Sequence, residues 1–500
     1  MFFIIYRELL ENLKSLRFII LVIICISMFS ANGFIFSRRY ISKETSYQTR
    51  ITNSLTRPFH AGAGEDMYLV DNRQVFDTKG GPNYPRPSTI STELYVSSNP
   101  LLFIAEGGEK YTPYGYTVRP GGVTEILHTN PRNYKLPDIP EMDWSFIVSI
   151  IFSLYIILFG HNLISGEKQQ GTLTLIFSNT VSRIKLLMLK YCSLMITIMI
   201  PISIGFLISY IIFILYSPHI LTWDTILRII IMYFATFLFL SLFAFLSLMV
   251  SSVVGQSSIG LLVLLLIWLI FVFEPHAAFL IAEQISNVPG ELELTNRIDA
   301  IIRNYYITNF NEYQDPSAPN FKGYFDSEEK AKKELYPVMN KTHKHIQEIY
   351  DVNENSLIES LMTVRNISRL SPVGIFQNIA KNLACSGIIA MKSFISDIKV
   401  FSGRYDEYIQ KKIGEIVTKT RDTLFTSYLS NPNDGGKRVL QAHRPREYDG
   451  DKHDFPMFKE TELSVLQVIN NILLDLSGLI LWNTVLAMGA FIAFNRADVR

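Results

Sequence analysis

The sequence predicts an α-helical integral membrane protein with six transmembrane helices and a mixed α/β extracytoplasmic domain built from two insertions. The first observation is composition: of 500 residues, 48% are hydrophobic and 18% are charged, below the roughly 25% charged residues of soluble proteins. The second is that apolar residues are grouped in uncharged runs, such as the 19 residues 18–36. About 20 such residues cross a bilayer core as a helix. The third is that two long polar segments separate these runs.

The uncharged runs predict six spans, because one run is long enough for two helices. Between Arg228 and Glu274 lie 45 residues without a charge, and the polar cluster at 251–258 predicts a tight turn inside that run. Span five is also predicted to be broken at its outer end by Pro275. The predicted spans are residues 17–37, 144–164, 191–216, 229–250, 257–282 and 465–494.

Basic residues in short segments predict the orientation, since cytoplasmic loops carry an excess of Lys and Arg. They cluster before span one, in the loop at 165–190 and in the tail at 495–500. An even number of spans places these segments on one side, so both termini are predicted to be cytoplasmic; Arg38 and Arg39 are the opposing evidence. Residues 1–16 have the apolar spacing of an amphipathic helix lying in the headgroup region.

Two long segments, residues 38–143 and 284–462, fall on the non-cytoplasmic face in this topology. The first is rich in Pro, Gly, Tyr and Thr, and its alternating stretches at 92–96 and 116–118 predict strands. The second has apolar residues at three- and four-residue spacing and predicts helices. The sequence leaves open whether they form one domain or two, and three cysteines exclude a disulfide scaffold.

The sequence carries no recognisable catalytic motif. Its one Gly-Lys pair, Gly436-Lys437, lacks the leading Gly and the following Ser or Thr of a nucleotide-binding loop. The chain is therefore predicted not to be an enzyme and to hold no cofactor of its own. A net charge of +1 gives no electrostatic footprint for nucleic acid.

Two groups of ionisable residues have alternative interpretations. His343, His345 and Glu348 lie close enough on a predicted helix to share a metal, but a solvated helix face explains them as well, and no metal site is predicted. Asp475 lies at the external end of span six. It is predicted to sit at the membrane interface, because 19 uncharged residues follow it.

The loop after span two is the most informative segment. It reads SGEKQQGTLTLIFSNTVSR from residue 165 to residue 183, followed by Lys185 and Lys190. A polar turn leads into a short amphipathic helix, which is suited to docking on another protein. The pattern Glu-x-x-x-Gly-Thr-Leu, then Ser, Val-Ser-Arg and Lys, resembles that of permease subunits of ABC-2-type transporters. Residues 99–110, 370–374 and 494–500 resemble the branch with two large external insertions that is named for multi-copper enzyme maturation.

The resemblance implies that this chain is the membrane half of an ATP-driven transporter. The loop would be a coupling helix seated on a separate nucleotide-binding ATPase subunit, which holds ATP and Mg²⁺. A second permease copy, identical or related, would pair with this one, with membrane lipid around both. The implied coupling residues are Glu167, Gly171, Thr172, Leu173, Ser178 and Arg183. The implied outer gate consists of Glu274, Pro275 and His276.

The predicted function is export or movement of an unidentified substrate across the bacterial inner membrane. The alternative is an ATP-driven mechanotransmitter or scaffold, whose external domain acts on an extracytoplasmic protein partner without a transport path. Transport predicts a substrate-sized path between two bundles. Transmission predicts long helices that continue into the outer domain, and the polar run at 37–57 would extend span one in this way.

Overall fold

A computed structural model describes the parts of the chain from which the fold can be built. The described residues are 9–56, 92–107, 115–119, 122–127, 142–173, 182–216, 222–285, 336–429 and 456–496, with a few more between 293 and 333. Residues 1–8 of the predicted amphipathic helix and the end of the tail at 497–500 lie outside them. Within the described part the chain is mostly helical, as the apolar periodicity predicts.

Six helices in the described part of the chain are long and apolar enough to cross a membrane, which confirms the predicted number of spans. They have mean hydropathies between 1.8 and 2.6 over their most apolar windows. Spans one to six are Leu16–Ile51, Trp144–Gln169, Arg183–Tyr216, Trp223–Val253, Ser257–Ala282 and Val465–Arg496. Most run a few residues past the uncharged segments, because a helix ends at its caps and not where its charges begin.

The elements are numbered here in chain order. The helices are α1 (Leu16–Thr56), α2 (Trp144–Phe146), α3 (Ser153–Gly160), α4 (Ser165–Gln169), α5 (Arg183–Tyr216), α6 (Trp223–Val253), α7 (Ser257–Ile285), α8 (Tyr336–Ser368), α9 (Pro372–Leu383), α10 (Ile388–Leu429) and α11 (Val465–Arg496). The strands are β1 (Thr92–Tyr95), β2 (Gly115–Arg119) and β3 (Gly122–Leu127). Residues Ile147–Phe152, between α2 and α3, form a π-helix.

Span two is the irregular member of the six. The Ser153 hydroxyl donates to the carbonyl oxygens of Ser149 at 2.6 Å and Ile150 at 3.1 Å, which satisfies acceptors where the helix widens. The Trp268 indole of span five donates to the same hydroxyl at 2.8 Å. The helix stops at Gly160 and restarts as α4 at Ser165. Span two is thus a jointed element that leads directly into the loop.

Span five is continuous where the sequence predicts a break, so that prediction is wrong. Pro275 lies inside α7, which runs on to Ile285. A proline cannot donate to the carbonyl four residues earlier, here that of Phe271. The Ser371 hydroxyl donates to the Phe271 carbonyl oxygen at 2.7 Å instead. A partner 100 residues away therefore replaces the lost hydrogen bond and the helix continues.

The described parts of the two long segments between spans, residues 38–143 and 284–462 (the predicted insertions), pack against each other. The strands β1, β2 and β3 form an antiparallel sheet in that order, with Thr92 opposite Val118 and Tyr116 opposite Ile126. The Tyr116 ring lies 5.8 Å from that of Phe394 in α10. Strands from the first insertion and helices from the second therefore share one contact surface.

The spans pack closely through small residues. A Cβ added to Gly205 of span three would lie 2.2 Å from the Phe29 ring of span one. One added to Gly160 of span two would lie 2.5 Å from the Ser247 Cβ of span four. Small residues let membrane helices approach at backbone distance. Spans one and three form one tight pair, and span four lies at the centre of the others.

Candidate functional site

The predicted coupling segment begins with an acidic residue that is fixed to span three. The Glu167 carboxylate lies 2.7 Å from the Nζ of Lys190, which is 1% exposed. The Thr172 hydroxyl donates to the Glu167 carbonyl oxygen at 3.3 Å. A buried charge requires a partner, so Lys190 explains why an acid stands at position 167. Glu167 holds the segment in place from within the chain.

Gly171 occupies a conformation and a space that suit a contact with another protein. Its φ is +69°, and no atom of the described residues lies within 4 Å of the position that a Cβ would take. Positive φ favours glycine, and the described part of the chain leaves the space beside it open. Leu173 is 1% exposed and anchors the next turn. Ser178 lies outside the described residues.

Arg183 is directed toward the end of span six. Its Nη1 donates to the carbonyl oxygens of Phe494 at 3.2 Å and Asn495 at 2.7 Å. A helix leaves its last carbonyls without internal partners, and a cation there is favoured by the helix dipole. Arg183 therefore joins the loop to the C-terminal end of α11.

Two serines of span four hold the other side of the segment, and the sequence did not indicate them as site residues. The Ser251 hydroxyl oxygen accepts from the backbone N–H groups of Ile164 at 3.1 Å and Ser165 at 3.0 Å. The Lys168 ammonium donates to the Ser252 carbonyl oxygen at 2.5 Å. Sequence analysis assigned these serines only to a turn, since a cap provided by a distant helix has no local sequence signature.

A second polar cluster lies at the other end of the spans, around α9. The Asn99 amide donates to the Ala384 carbonyl oxygen at 2.7 Å. The Ser386 hydroxyl donates to the Ala105 carbonyl oxygen at 2.7 Å. Residues 99–105 therefore lie against the segment that follows α9, the helix that begins within residues 370–374.

Asp475 is buried in this cluster. Its side chain is 0% exposed and lies 2.9 Å from the Nη2 of Arg365 and 2.6 Å from the Nε of Arg369. Both arginines flank the end of α8, about one hundred residues before span six. The carboxylate is paired with two cations, an arrangement that the sequence did not indicate.

A family model described as "ABC-2 family transporter protein" matches residues 2–318, more than half of the chain. The chain belongs to the ABC-2 transporter family. No curated protein and no solved structure matches it. Family membership makes the chain a multi-pass permease subunit that works with an ATP-binding subunit. The match covers the loop after span two and spans one to five.

The residues of the implied outer gate lie in the second half of span five. They are far from the predicted coupling segment of this ABC-2 permease. Both carboxyl oxygens of Glu274 are buried and have no hydrogen-bond partner among the described residues. His276 is exposed, and its ring lies 6.5 Å from that of Phe273. Two residues apart on a helix, Glu274 and His276 point in different directions. The geometry does not bring them together, and their role as a gate stays a prediction.

The weak metal candidate of the permease receives no support from the described side chains. His345 and Glu348 form an exposed pair with 3.4 Å between Nδ1 and Oε2, and the His343 side chain is not described. No three potential metal ligands cluster anywhere in the described part of the chain. The exposure of this pair favours a solvated helix face.

Asp143, directly before span two, is expected to make the free energy of unfolding depend on pH. Its carboxylate accepts from the backbone N–H groups of Phe146 at 2.7 Å and Glu106 at 2.9 Å. Burial raises its pKa from 3.8 to about 7, despite these hydrogen bonds and the nearby Lys381. The folded state then binds this proton more tightly than the unfolded state, so the contribution of Asp143 to stability is greatest below pH 3.8 and is lost as the pH rises to about 7.

We expect Asp143→Asn to remove this fall, because an amide does not titrate. The measurement is the unfolding temperature of the detergent-solubilised permease between pH 4 and pH 8. Wild type should lose stability over the window from 3.8 to about 7, and the variant should show a flatter profile there. An unchanged slope in the variant would assign the pH dependence to another group.

Proposed function

We propose that this chain couples ATP hydrolysis by a separate nucleotide-binding subunit to the movement of a substrate across the bacterial inner membrane. In this proposal residues 165–190 are cytoplasmic, as are both termini, and form the surface on which the ATPase docks. The chain itself contributes no ATPase activity and no cofactor; ATP and Mg²⁺ belong to the partner. A second permease, identical or related, completes the pathway. We assign the chain to the branch with two external insertions, which then lie outside the membrane.

The observation that best supports this proposal is the construction of the loop. Glu167 and Lys190 fix it to span three, and Ser251 fixes it to span four. Gly171 meanwhile has a conformation that favours glycine, and no described residue fills the space beside it. A segment that is rigidly attached to two spans and open on one side transmits force from a docked protein to the membrane. ATP binding would shift such an element by favouring one of its two states.

The test of this proposal is a mild-detergent pull-down of the tagged chain from its native host, comparing wild type with Gly171→Trp. We expect a nucleotide-binding ATPase to co-purify with wild type and to be lost with the variant, since an indole at position 171 would fill the open space at the docking surface. Gly255→Trp is the matched control. It places the same side chain at another open glycine, in the turn between spans four and five.

Four results of the pull-down are informative. Loss with Gly171→Trp and retention with Gly255→Trp support docking at the loop. Loss of the ATPase with both variants assigns the effect to a bulky residue anywhere on the predicted cytoplasmic face. Retention of the ATPase in Gly171→Trp contradicts docking at this loop. Absence of an ATPase from the wild-type pull-down in several detergents contradicts the whole proposal.

The mechanotransmitter is the second candidate, and the length of α1 favours it. Helix α1 runs without a break from Leu16 to Thr56, about 60 Å at 1.5 Å per residue. A bilayer core is about 30 Å thick, so half of the helix extends beyond it. This extension contacts the first insertion, since the Glu44 carboxylate accepts from the Ser98 hydroxyl and Arg39 lies 3.6 Å from Glu106.

A proline in the extension separates the two candidates. Ser46→Pro should kink α1 beyond the membrane, because it removes the backbone hydrogen bond to Ser42. If the protein transmits motion through α1, the ATP-dependent change in amide exchange of β1 to β3 should be lost, with ATPase co-purification intact. If it transports a substrate between bundles, that response should be retained. Ser46→Ala, which keeps the helix straight, is the control.

A further inference from the structure

Span four is held to the coupling segment at one end by polar contacts that are almost completely buried. Ser251 and Ser252 are 0% exposed. The Ser251 hydroxyl oxygen accepts hydrogen bonds from the two backbone N–H groups at the start of α4. The Ser252 carbonyl oxygen accepts a hydrogen bond from the Lys168 ammonium. A buried hydroxyl with satisfied partners is costly to displace. The start of α4 therefore cannot move without moving the end of span four or breaking these bonds.

The opposite end of span four is held to the outer cluster by one arginine. Arg228 is 3% exposed, and its guanidinium donates to the carbonyl oxygens of Leu383 at 3.0 Å and Leu463 at 2.5 Å. The same group contacts Asp224 at 2.5 Å and the Cys385 sulfur at 2.9 Å. Leu383 ends α9, and Leu463 precedes span six. One side chain thus joins span four to both elements.

The helix between these two attachments is continuous. Helix α6 has 31 residues without an internal Gly or Pro, about 46 Å at 1.5 Å per residue. Kinks in helices arise mainly at Pro, at Gly or at π-bulges, and α6 contains none of these. In its middle the Phe239 ring stacks on Phe376 of α9 at 4.5 Å. Span two, by contrast, has a π-helix and a break before the loop.

We propose that span four is the element that carries movement of the coupling segment to α9 and the outer insertions, with Ser251 and Arg228 as its positioning residues at the two ends. This inference rests on the proposed function, since it takes the loop at 165–190 as the docking surface. The jointed span two absorbs movement, whereas span four passes it on. The coupling is reciprocal, so a load on α9 changes the affinity of the loop for its partner.

The test is hydrogen–deuterium exchange on the complete complex, purified through a tag on this chain with its ATPase. Exchange is measured with and without a non-hydrolysable ATP analogue at two peptides, one covering 161–173 and one covering 372–392. In wild type we expect the analogue to change the exchange of both peptides. In Ser251→Ala and in Arg228→Gln the change at 161–173 should persist, while that at 372–392 should fall by about threefold or more.

Matched variants separate transmission from a general loss of packing. Ser247→Ala removes another buried hydroxyl of span four, but one that bonds only to the Phe243 carbonyl of its own helix. Asp224→Ala removes the intrahelical partner of Arg228 and leaves the Leu383 and Leu463 carbonyls in reach. Both controls should respond to the analogue like wild type. The double variant Ser251→Ala/Arg228→Gln should lose no more than either single one, because both act on one element.

The outcomes of the exchange experiment distinguish the two proposals. If the analogue does not change the exchange of peptide 161–173 in wild type, the assignment of this loop as the coupling segment is wrong. This inference then fails with it. If it changes 161–173 but not 372–392, the proposed function stands and the transmission through span four is overturned. A full response at 372–392 in Ser251→Ala also overturns it. Ser251→Ala alone decides whether transmission through span four is overturned, so the test does not depend on whether Arg228→Gln folds.

Discussion

Asp475→Ala should lower the free energy of unfolding by about 3–5 kcal/mol, the cost of removing one partner from a buried ion pair. The carboxylate is 0% exposed and lies within 2.9 Å of two arginines, of which Arg365 is 8% exposed. Without it the guanidinium groups of the buried Arg365 and of Arg369, which is 25% exposed, lose their shared counter-charge. The effect should be measured by denaturant unfolding of the detergent-solubilised protein.

Two further variants identify the cause of that loss. Glu293→Ala removes an acid of the same kind from an exposed i,i+4 pair with Arg297, and exposed pairs contribute at most about 1 kcal/mol. Arg365→Met in the Asp475→Ala background should recover part of the stability, because it removes one uncompensated charge. A loss with Asp475→Ala no larger than that with Glu293→Ala would contradict the assignment of this pair as a structural link between α8 and span six.

The six spans could be predicted because length and lack of charge are local properties of the sequence. The loop at 165–190 could be singled out because its glycine and its acid stand at a spacing that resembles that of the family, and its coupling role stays a prediction. The strands near 92–96 and 116–118 were also indicated by local alternation, and β1 and β2 lie there. In each case the information needed was contained within about thirty residues.

Features that depend on distant partners could not be predicted. Pro275 suggests a broken helix, and it does not break because Ser371 takes the released carbonyl. Asp475 suggests an interfacial residue, and its counter-charges come from α8. Ser251 resembles any turn residue until its contact with the start of α4 is known. In each case the missing information is which distant helix packs against the residue. The spacing of residues along the chain does not encode that packing.

Gly374→Ala is the second substitution with a large expected effect. Gly374 lies in the first turn of α9, where a Cβ would come within 2.0 Å of the Ser368 carbonyl oxygen and 2.8 Å of its carbon. These are backbone atoms, so no side chain can rotate away to make room. The end of α8 or the start of α9 must move, which should cost about 3 kcal/mol, at the upper end of typical overpacking effects.

The matched control is Gly403→Ala, because the same substitution there has the opposite expected sign. Gly403 lies in α10 with no described atom within 4 Å of its Cβ position, and alanine is favoured over glycine in an exposed helix by about 1 kcal/mol. The two variants should therefore shift the unfolding midpoint in opposite directions. Since Gly374 also orders the turn that carries Ser371, its substitution should loosen the hydrogen bond to Phe271 and raise amide exchange near Pro275. Equal midpoints for the two variants would contradict the packing of α9 against α8. Unchanged amide exchange near Pro275 would contradict the role of Ser371 in keeping span five continuous.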